Sequence, residues 1–248
     1  MGRSQHVRGG VMPALSDQRV LITGAGQGLG AAIARVFADH GADLVLMDVD
    51  AAGLQAVQDQ IGGGALALTV DLADAEATAR AIAAIPGPVD TLIHNAAILR
   101  PEPLQQVSLS TFTATMNVGI QAAFQLSQAV WPGMKAKGGG ALIFVSSQSG
   151  IKGFVDETAY CAAKHALEGF SKCLAMEGEA DGILSCTITP GKAMHTPMSE
   201  RNYPPELKAE WIDPARLAPA FVQIATTRDR ALSGQRLNAW DMSEPEVN

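Results

Sequence analysis

The feature that most constrains the fold is a regular alternation of short apolar segments with longer segments that carry a helical pattern. The first pair consists of residues 20–23, a short apolar run, and residues 29–40, in which apolar residues recur at helical spacing. Clusters of Gly and Pro separate the later segments, as at residues 62–64 and 138–140. This alternation is typical of βαβ units, in which parallel strands form a sheet and helices cover it.

The alternation continues along the chain without an internal repeat or a change of composition that would mark a second domain. The predicted strands are residues 20–23, 43–48, 66–71, 89–94, 141–146, 183–189 and 235–238. The predicted helices are residues 29–40, 51–61, 74–85, 109–131, 158–178 and 213–226. Most of the predicted strands are unbroken apolar runs, as expected for strands buried on both faces. We therefore predict an α/β fold with a doubly wound, seven-stranded, mostly parallel sheet and helices on both faces.

We assign residues 13–248 to one domain and interpret residues 1–12 as a disordered leader or cloning extension. The domain has ample apolar surface for a core, since 47% of the 248 residues are hydrophobic and 17% are charged. With 18 basic and 25 acidic side chains the net charge is -7, which argues against nucleic acid or anionic lipid as the main partner.

The cysteine content and the hydropathy pattern indicate the compartment. Three scattered cysteines fit neither a disulfide framework nor the spacing of zinc ligands, so no metal site is predicted and a reducing cytoplasm is favoured. No apolar run reaches the roughly 18 residues that a membrane-spanning helix needs. We therefore expect a cytoplasmic protein with no membrane contact that acts on a small molecule.

The first predicted strand leads into the glycine-rich segment Thr23-Gly24-Ala25-Gly26-Gln27-Gly28-Leu29-Gly30. Glycines allow a sharp turn and a close approach to a pyrophosphate, whose charge is met by free N–H groups at the start of the next helix. Taken alone, such a segment is equally consistent with a tight turn and close helix packing.

Asp48 favours the dinucleotide interpretation, because it ends the second strand eighteen residues after Gly30. A carboxylate there accepts hydrogen bonds from both hydroxyls of the adenosine ribose and repels a phosphate at that ribose. Neither the glycine-rich segment nor the position directly after Asp48 carries Arg or Lys. The sequence therefore predicts NAD, with NADP the less favoured cofactor.

Polar residues also end the third and fourth predicted strands. Asp71 is followed by Leu72, and Asn95 is followed by Ala96. Ligands of open parallel sheets bind beside the carboxyl ends of the strands, so we expect these residues to contact the cofactor. Asp71 could instead cap the helix that starts near residue 74.

Tyr160 and Lys164 lie four residues apart on a predicted helix, which brings their side chains onto one face. A lone pair of this kind is common by chance, and the alternative is a solvated helix face. Ser147 ends the fifth strand thirteen residues before Tyr160, and Asn117 lies within the preceding long helix. Together with the glycine-rich segment, this set predicts a catalytic site.

In order and spacing, these residues resemble the classical short-chain dehydrogenase/reductase family over nearly all of residues 20–241. The matching motifs are Thr23 to Gly30, Asp71-Leu72, Asn95-Ala96-Ala97, Asn117, Ser147, Tyr160 with Lys164, Pro190-Gly191 and Ser233-Gly234-Gln235. The resemblance implies a single-domain Rossmann fold, catalysis by Asn117, Ser147, Tyr160 and Lys164, and a homotetramer. It also implies cofactor contacts from Gly24, Gln27, Gly28, Leu29, Gly30, Asp48, Asp71, Leu72, Asn95, Ala96, Tyr160, Lys164, Pro190, Gly191 and Thr196.

The side chains define the chemistry that we expect. A free phenol has a pKa of about 10, and the Lys164 ammonium and an oxidised nicotinamide would both lower that of Tyr160. Tyr160 would then exchange a proton with the substrate hydroxyl while Ser147 holds the same oxygen. By resemblance, Lys164 holds the nicotinamide ribose and Asn117 supports a water that links Lys164 to solvent.

The region after the sixth strand departs from the family pattern. His195 occupies the position where the family often has the threonine that follows Pro-Gly, and Thr196 comes one residue later. The predicted substrate contacts are Ser147, Gln148, Tyr160 and His195, although a surface histidine in a loop is the commoner interpretation of a residue such as His195. Residues 194–211 contain few aliphatic side chains, which favours a small polar substrate over a steroid or an acyl chain, unless their polarity reflects only solvent exposure.

The sequence thus predicts an NAD-dependent oxidoreductase that interconverts a secondary alcohol and a ketone on a polyol, sugar or hydroxy acid. Two alternatives stay open, an NADP-linked 3-oxoacyl carrier-protein reductase and a non-catalytic dinucleotide-binding scaffold. The helix at residues 158–178 is apolar on more than one face, which also predicts a subunit contact.

Overall fold

The computed structural model describes residues 15–243, so the predicted leader at residues 1–12 lies outside the described range. The strands are β1 (Arg19–Thr23), β2 (Asp43–Asp48), β3 (Leu66–Thr69), β4 (Thr91–His94), β5 (Gly140–Val145), β6 (Ile183–Thr189) and β7 (Arg236–Asn238). The helices are α1 (Gly28–Asp39), α2 (Ala51–Gln60), α3 (Ala75–Ala83), α4 (Leu109–Met116), α5 (Ala122–Ala136), α6 (Thr158–Gly178), α7 (Pro197–Asn202), α8 (Ala218–Thr227) and α9 (Ala239–Ser243). The seven predicted strands are confirmed in number and order up to small shifts of their ends. The six predicted helices are also present, with residues 109–131 divided, and the structure adds α7 and α9, which were not predicted.

The sheet has the strand order β3-β2-β1-β4-β5-β6-β7, and every neighbouring pair is parallel. The order reverses between β1 and β4, where Thr23 lies opposite His94. The predicted doubly wound α/β sheet is therefore confirmed. A crevice outside the carboxyl ends of β1 and β4 follows from this topology.

Helices cover both faces of the sheet, and the alternation of side chains along each strand divides the core into two layers. Ile22 of β1 packs in the layer that includes α1 and α8. Its neighbour Leu21 points to the opposite layer, which includes α5 and α6. Both side chains are fully buried, which explains why the strands are apolar without a break.

One helix differs from the prediction. Residues 109–131 are not a single helix, because a π-helical turn at Asn117–Gln121 separates α4 from α5. Gly119 in this turn packs against α6 so closely that a Cβ there would lie 2.8 Å from the Cβ of Ala163. The wide turn thus brings the backbone of this segment against the helix that carries Tyr160 and Lys164.

The segment between β6 and α8 leaves the sheet and returns to it. A parallel bridge joins Met194 to Ile212, and the amide of His195 donates to the carbonyl of Ile212 at 2.9 Å. We call the excursion between these two points, residues 195–211, the lid; it contains α7 and a short 3-10 segment. Its start and end are therefore held together at one place beside the sheet.

Within residues 15–243, no helix combines the length and hydropathy required to cross a membrane. The longest helix, α6, carries the buried side chains of Lys164 and Glu168 along its inner face. Cys161 and Cys186 are buried free thiols, and Cys173 is an exposed one.

Candidate active site

A cleft of about 520 Å³ opens along the carboxyl ends of the strands. Most of the residues singled out from the sequence line it, although they come from every part of the chain between β1 and α7. The predicted residues found in its wall are Gly24, Gln27, Gly28, Leu29, Asp48, Asp71, Leu72, Asn95, Ala96, Ser147, Gln148, Tyr160, Lys164, Pro190, Gly191 and Thr196. Gly30, Asn117 and His195 are not part of the wall.

The glycine-rich segment has the backbone geometry that a pyrophosphate site requires. Gly24 and Gly28 have φ values of +64° and +55°, a region that favours glycine. A Cβ at Gly30 would collide with the carbonyl oxygen of Gly24, so Gly30 allows the close packing of α1 on the turn. Gln27 precedes α1 without a side-chain hydrogen bond to it, which leaves the first-turn N–H groups for a ligand.

Asp48 is held in place by two backbone amides. Its Oδ2 accepts a hydrogen bond from the N–H of Gly26 at 2.8 Å, and its Oδ1 accepts one from Asp50 at 3.0 Å. The carboxylate is buried in the cleft wall, and each oxygen retains a second lone pair for a ribose hydroxyl. Lys164 and Lys192 are the basic residues of the wall, and neither follows β2 or β3.

Asp71 and Asn95 have different local roles. Asp71 is exposed and accepts the N–H of Ala73 at 2.9 Å. The cap of α3 is Asp74, so the alternative in which Asp71 caps that helix is wrong. Asn95 donates from Nδ2 to the carbonyl oxygens of Thr23 and Gly24 and thereby braces the glycine-rich segment, while its side chain also lines the cleft.

Tyr160 and Lys164 lie on the first turns of α6 and face the cleft together. The Nζ of Lys164 lies 5.5 Å from the centre of the Tyr160 ring and donates a hydrogen bond to the carbonyl of Val145 at 2.6 Å. Ser147 lies two residues after the end of β5 and lines the same wall. Ser146, the neighbour that could be confused with it, is buried and donates to Glu168.

Burial controls the proton affinities of both groups. Burial raises the pKa of Tyr160 above its ordinary value, the Ser147 hydroxyl acts in the lowering direction, and the charge of Glu157 acts in the raising direction. Burial also lowers the pKa of Lys164 to about 8, with Glu168 acting in the opposite direction. In the protein without a cofactor, desolvation of the phenol is the largest influence on the pKa of Tyr160. The lowering expected from Lys164 together with an oxidised nicotinamide stays a prediction.

Asn117 is the first residue of the π-helical turn and lies outside the cleft wall. Its Nδ2 donates to the carbonyl of Ala73 at 2.9 Å and so ties this turn to the segment before α3. The next residue, Val118, does line the cleft. The carbonyl oxygens of Val118 and Gly119 accept hydrogen bonds at 3.0 and 3.2 Å from the Nε2 of His94, a fully buried residue at the end of β4.

His195 and Thr196, whose roles the sequence left open, are the first two residues of the lid. His195 is exposed, and its ring packs edge-on against Trp211 with 5.6 Å between the ring centres, so its position does not support the predicted substrate contact. Thr196 lines the cleft, but its hydroxyl accepts the N–H of Ser199 at 3.1 Å as the N-cap of α7.

Sequence reasoning missed two buried carboxylates beside the site. Glu157 lies in the cleft wall, and Ser149 and Tyr203 hydrogen-bond to it. Glu168, one helical turn after Lys164 on α6, accepts hydrogen bonds from Thr187 and Arg236. Glu157 could have been found from the sequence, because it lies three residues before Tyr160 and so on the same side of the helix. Glu168 could not, because its partners come from distant elements.

The fold and the cleft together define a dinucleotide-binding oxidoreductase. A family model described as short chain dehydrogenase matches residues 18–206. The chain therefore belongs to the short chain dehydrogenase family, whose members use NAD(P) to oxidise CH–OH groups or to reduce the corresponding carbonyl groups.

Individual relatives cover most of this chain. D-threitol dehydrogenase of Mycolicibacterium smegmatis is 35% identical over 71% of this chain and 70% of its own length. L-xylulose reductase of Bos taurus is 34% identical over 86% of this chain and 84% of its own. Among solved structures, 3-ketoacyl-(acyl-carrier-protein) reductase from Brucella melitensis, complexed with NADH, superposes with a TM-score of 0.84 at 26% identity, covering 92% of this chain and 99% of that one.

Proposed function

We propose that the protein is an NAD-dependent dehydrogenase that interconverts a secondary alcohol and a ketone on a small polar substrate, a polyol, sugar or hydroxy acid. The observation that carries the proposal is the convergence of Ser147, Tyr160 and Lys164 on one end of a cleft that holds Asp48 in another part of its wall. Asp48 ends β2 and Ser147 follows β5, and β1 and β4 lie between these two strands in the sheet. This separation supports a dinucleotide with its adenosine ribose at Asp48 and its nicotinamide beside the tyrosine.

Tyr160 is the group that moves the substrate proton in this proposal. When bound, the nicotinamide supplies the acceptor for the hydride that leaves the carbinol carbon, or the donor in the reverse direction. Tyr160 takes the hydroxyl proton during oxidation and returns it during reduction. Ser147 donates a hydrogen bond to the same oxygen and stabilises the charge that develops on it.

Lys164 has two tasks in the proposal. One of its three N–H donors is bound to Val145, which fixes the ammonium beside Tyr160, and the others are available to the nicotinamide ribose. Its positive charge favours the phenolate form of Tyr160 during oxidation. Asn117 would support the water that connects Lys164 to solvent, and the packing of Gly119 on Ala163 supports this role because it brings the turn beside Lys164.

The contacts of Asp48 support NAD over NADP. Two backbone amides fix its carboxylate at the end of β2, where a phosphate on the adenosine ribose would meet a buried negative charge. Val49, which follows it in the wall, offers no positive charge to such a phosphate.

The polar groups of the cleft and the named relatives support the substrate class. Gln148 and Ser149 add hydrogen-bonding groups to the cleft wall that Tyr160 also lines. One of the relatives is named for a tetritol and another for a ketopentose. Both names are of small polyhydroxylated compounds.

A homotetramer in the cytoplasm is part of the same proposal. Large apolar side chains are exposed on three neighbouring helices, with Leu109 on α4, Phe124 on α5 and Met176 on α6 at 79%, 49% and 79% exposure. Such surfaces support burial against other subunits. The free thiols of Cys161, Cys173 and Cys186 support a reducing compartment.

Replacing Tyr160 by Phe tests the proposal directly. We expect kcat for polyol oxidation with NAD to fall by about 10²- to 10⁴-fold, the usual contribution of a general acid or base, while NADH still binds. Steady-state kinetics and NADH fluorescence titration measure the two quantities. Tyr203→Phe is the matched control, since it removes the hydroxyl of the other tyrosine in the chain, and we expect it to lose far less.

Three outcomes would contradict the proposal. A Tyr160→Phe variant that keeps most of its rate would exclude the acid–base role of the phenol. A wild-type protein that binds NADH tightly but turns over no member of a broad alcohol panel would support the non-catalytic scaffold, and a clear preference for NADPH with 3-oxoacyl thioesters would support the carrier-protein reductase.

A further inference from the structure

Glu157 is a buried carboxylate in the wall of the catalytic cleft to which the proposed mechanism gives no task. It is 7% exposed and lies immediately before α6, three residues from Tyr160. Residues at this spacing at the start of a helix lie on the same side. The carboxylate therefore borders the space in which the substrate carbinol would meet Tyr160.

The two oxygens of Glu157 have few partners within the protein. Oε2 accepts the hydroxyl of Ser149 at 2.9 Å, and Oε1 accepts the hydroxyl of Tyr203 at a long 3.4 Å. Across residues 15–243, no Lys, Arg or His lies within ion-pair distance of this carboxylate. A carboxylate offers about four acceptor sites, so half of them remain for a ligand.

Glu168 shows what a purely structural buried carboxylate looks like in the same helix. It forms an ion pair with Arg236 at 3.1 Å and accepts further hydrogen bonds from Ser146 and Thr187. Burying a carboxylate without a cation is costly, and Glu157 lacks the compensation that Glu168 has. The difference indicates that donors from outside the chain complete the environment of Glu157.

We infer that Glu157 selects a neutral polyhydroxylated substrate by accepting a hydrogen bond from a hydroxyl group next to the carbinol that Tyr160 and Ser147 hold. The inference rests on the proposed function and narrows its substrate class to polyols and sugars. A hydroxy acid is disfavoured, because its carboxylate would lie near a second, unpaired carboxylate in a site of low dielectric constant. An amino alcohol is less well matched, since the buried ammonium of Lys164 lies at the same end of the cleft.

The experiment compares Glu157→Gln with the wild type on four alcohols that differ in the group beside the carbinol. Xylitol and D-threitol carry neutral hydroxyls there, 2-butanol carries none, and 3-hydroxybutyrate carries a carboxylate one carbon away. For the polyols we expect kcat/KM to fall roughly tenfold, mainly through KM, because the neutral amide oxygen of Gln accepts a weaker hydrogen bond than a carboxylate does. We expect little change for 2-butanol and a rise for 3-hydroxybutyrate.

Two control variants separate this role from other effects of the substitution. Glu177→Gln removes an exposed carboxylate elsewhere on α6 and should leave the ratio of polyol to 2-butanol activity unchanged. Tyr203→Phe breaks the contact between the lid and Glu157 but keeps the carboxylate, so the preference for polyols should persist. A gain with 3-hydroxybutyrate is also a result that a damaged fold cannot produce.

The results that would overturn the inference are distinct from those that would overturn the proposed function. Equal losses on all four alcohols in Glu157→Gln, or the same pattern in Tyr203→Phe, would show that Glu157 only holds the lid. Faster turnover of 1-amino-2-propanol than of xylitol by the wild type would assign the carboxylate to a cationic substrate. Absence of turnover with every alcohol would overturn the proposed function and the inference together.

Discussion

Tyr160 and Lys164 show how burial sets the protonation states of single residues in this cleft. Burial disfavours the charged form of each, so the pKa of the phenol is raised and that of the ammonium is lowered to about 8. In the protein alone, Tyr160 is therefore a protonated phenol at neutral pH, the form that donates a proton during carbonyl reduction. Oxidation needs additional positive charge beside the ring, which an oxidised nicotinamide carries.

The proposed preference for NAD over NADP depends on a single residue, Asp48. In Asp48→Asn, the amide oxygen still accepts one backbone N–H, but the negative charge is lost. We expect the ratio of the Kd for NADPH to the Kd for NADH to fall by about tenfold or more, since a charge effect of 1.4 kcal/mol corresponds to one decade. Fluorescence titration of both cofactors measures this ratio.

Asp59→Asn is the control for the cofactor prediction, because it removes an equal charge from the exposed end of α2. Its ratio should match that of the wild type. An Asp48→Asn variant that keeps the full discrimination between the two cofactors would show that another group sets the preference.

At the scale of secondary-structure elements, the π-helical turn between α4 and α5 connects the helices to the site. An extra residue in the turn widens the helix locally, and the carbonyl oxygens of Val118 and Gly119 are free to accept from His94. The turn also brings Gly119 against Ala163, next to Lys164. The position of the lysine is thus determined by packing between two helices as well as by its own hydrogen bond.

Gly119→Ala tests this packing. The added methyl would lie 2.8 Å from the Cβ of Ala163, so the two elements must separate. We expect the free energy of unfolding to fall by about 1–3 kcal/mol, the usual cost of overpacking a core, together with a loss of kcat. Urea denaturation and steady-state kinetics provide the measurements.

Gly169→Ala is the matched control on α6, because a Cβ at Gly169 meets open space. There the substitution should stabilise the protein by roughly 0.5–1 kcal/mol through the higher helix propensity of alanine. If both variants shifted the free energy of unfolding in the same direction, the contact between the turn and α6 would not be the cause of the effect of Gly119→Ala.

The elements also show how far the sequence could predict this structure. The strand ends and the spacing of Tyr160 and Lys164 follow from short-range periodicity, so the sheet and most of the cleft wall were predictable. The π-helical turn was not, because residues 109–131 keep a continuous helical pattern. The contact of Glu168 with Arg236 joins residues 68 positions apart, and local pattern carries no information about it. The sequence also could not predict that Thr196 lines the cleft and His195 does not, because the conformation of the lid determines this.

At the scale of the whole molecule, His94 couples folding stability to pH. The residue lies at the centre of the sheet, is fully buried, and joins Thr23 of β1 to the π-helical turn. Burial lowers its pKa from 6.5 to about 4, with the charge of Lys164 acting in the same direction. The unfolded chain therefore binds more protons than the folded one between pH 6.5 and pH 4.

The stability that depends on neutral His94 should be complete above about pH 6.5 and should decrease as the pH falls toward 4, by on the order of 3 kcal/mol in total. Urea denaturation at pH 7.5 and pH 5 measures the decrease. In His94→Asn the decrease should be smaller, whereas His195→Asn, which changes an exposed imidazole, should behave like the wild type. Equal pH dependence in all three proteins would contradict the assignment to His94.

The short bridge between Met194 and Ile212 affects how the sequence of this protein can diverge in evolution. Because the lid leaves and re-enters the body of the molecule at one point, its length and composition can vary without altering the register of any strand. Recognition of new alcohols can therefore be acquired by exchanging residues 195–211 as a unit, while the machinery for proton and hydride movement is inherited intact.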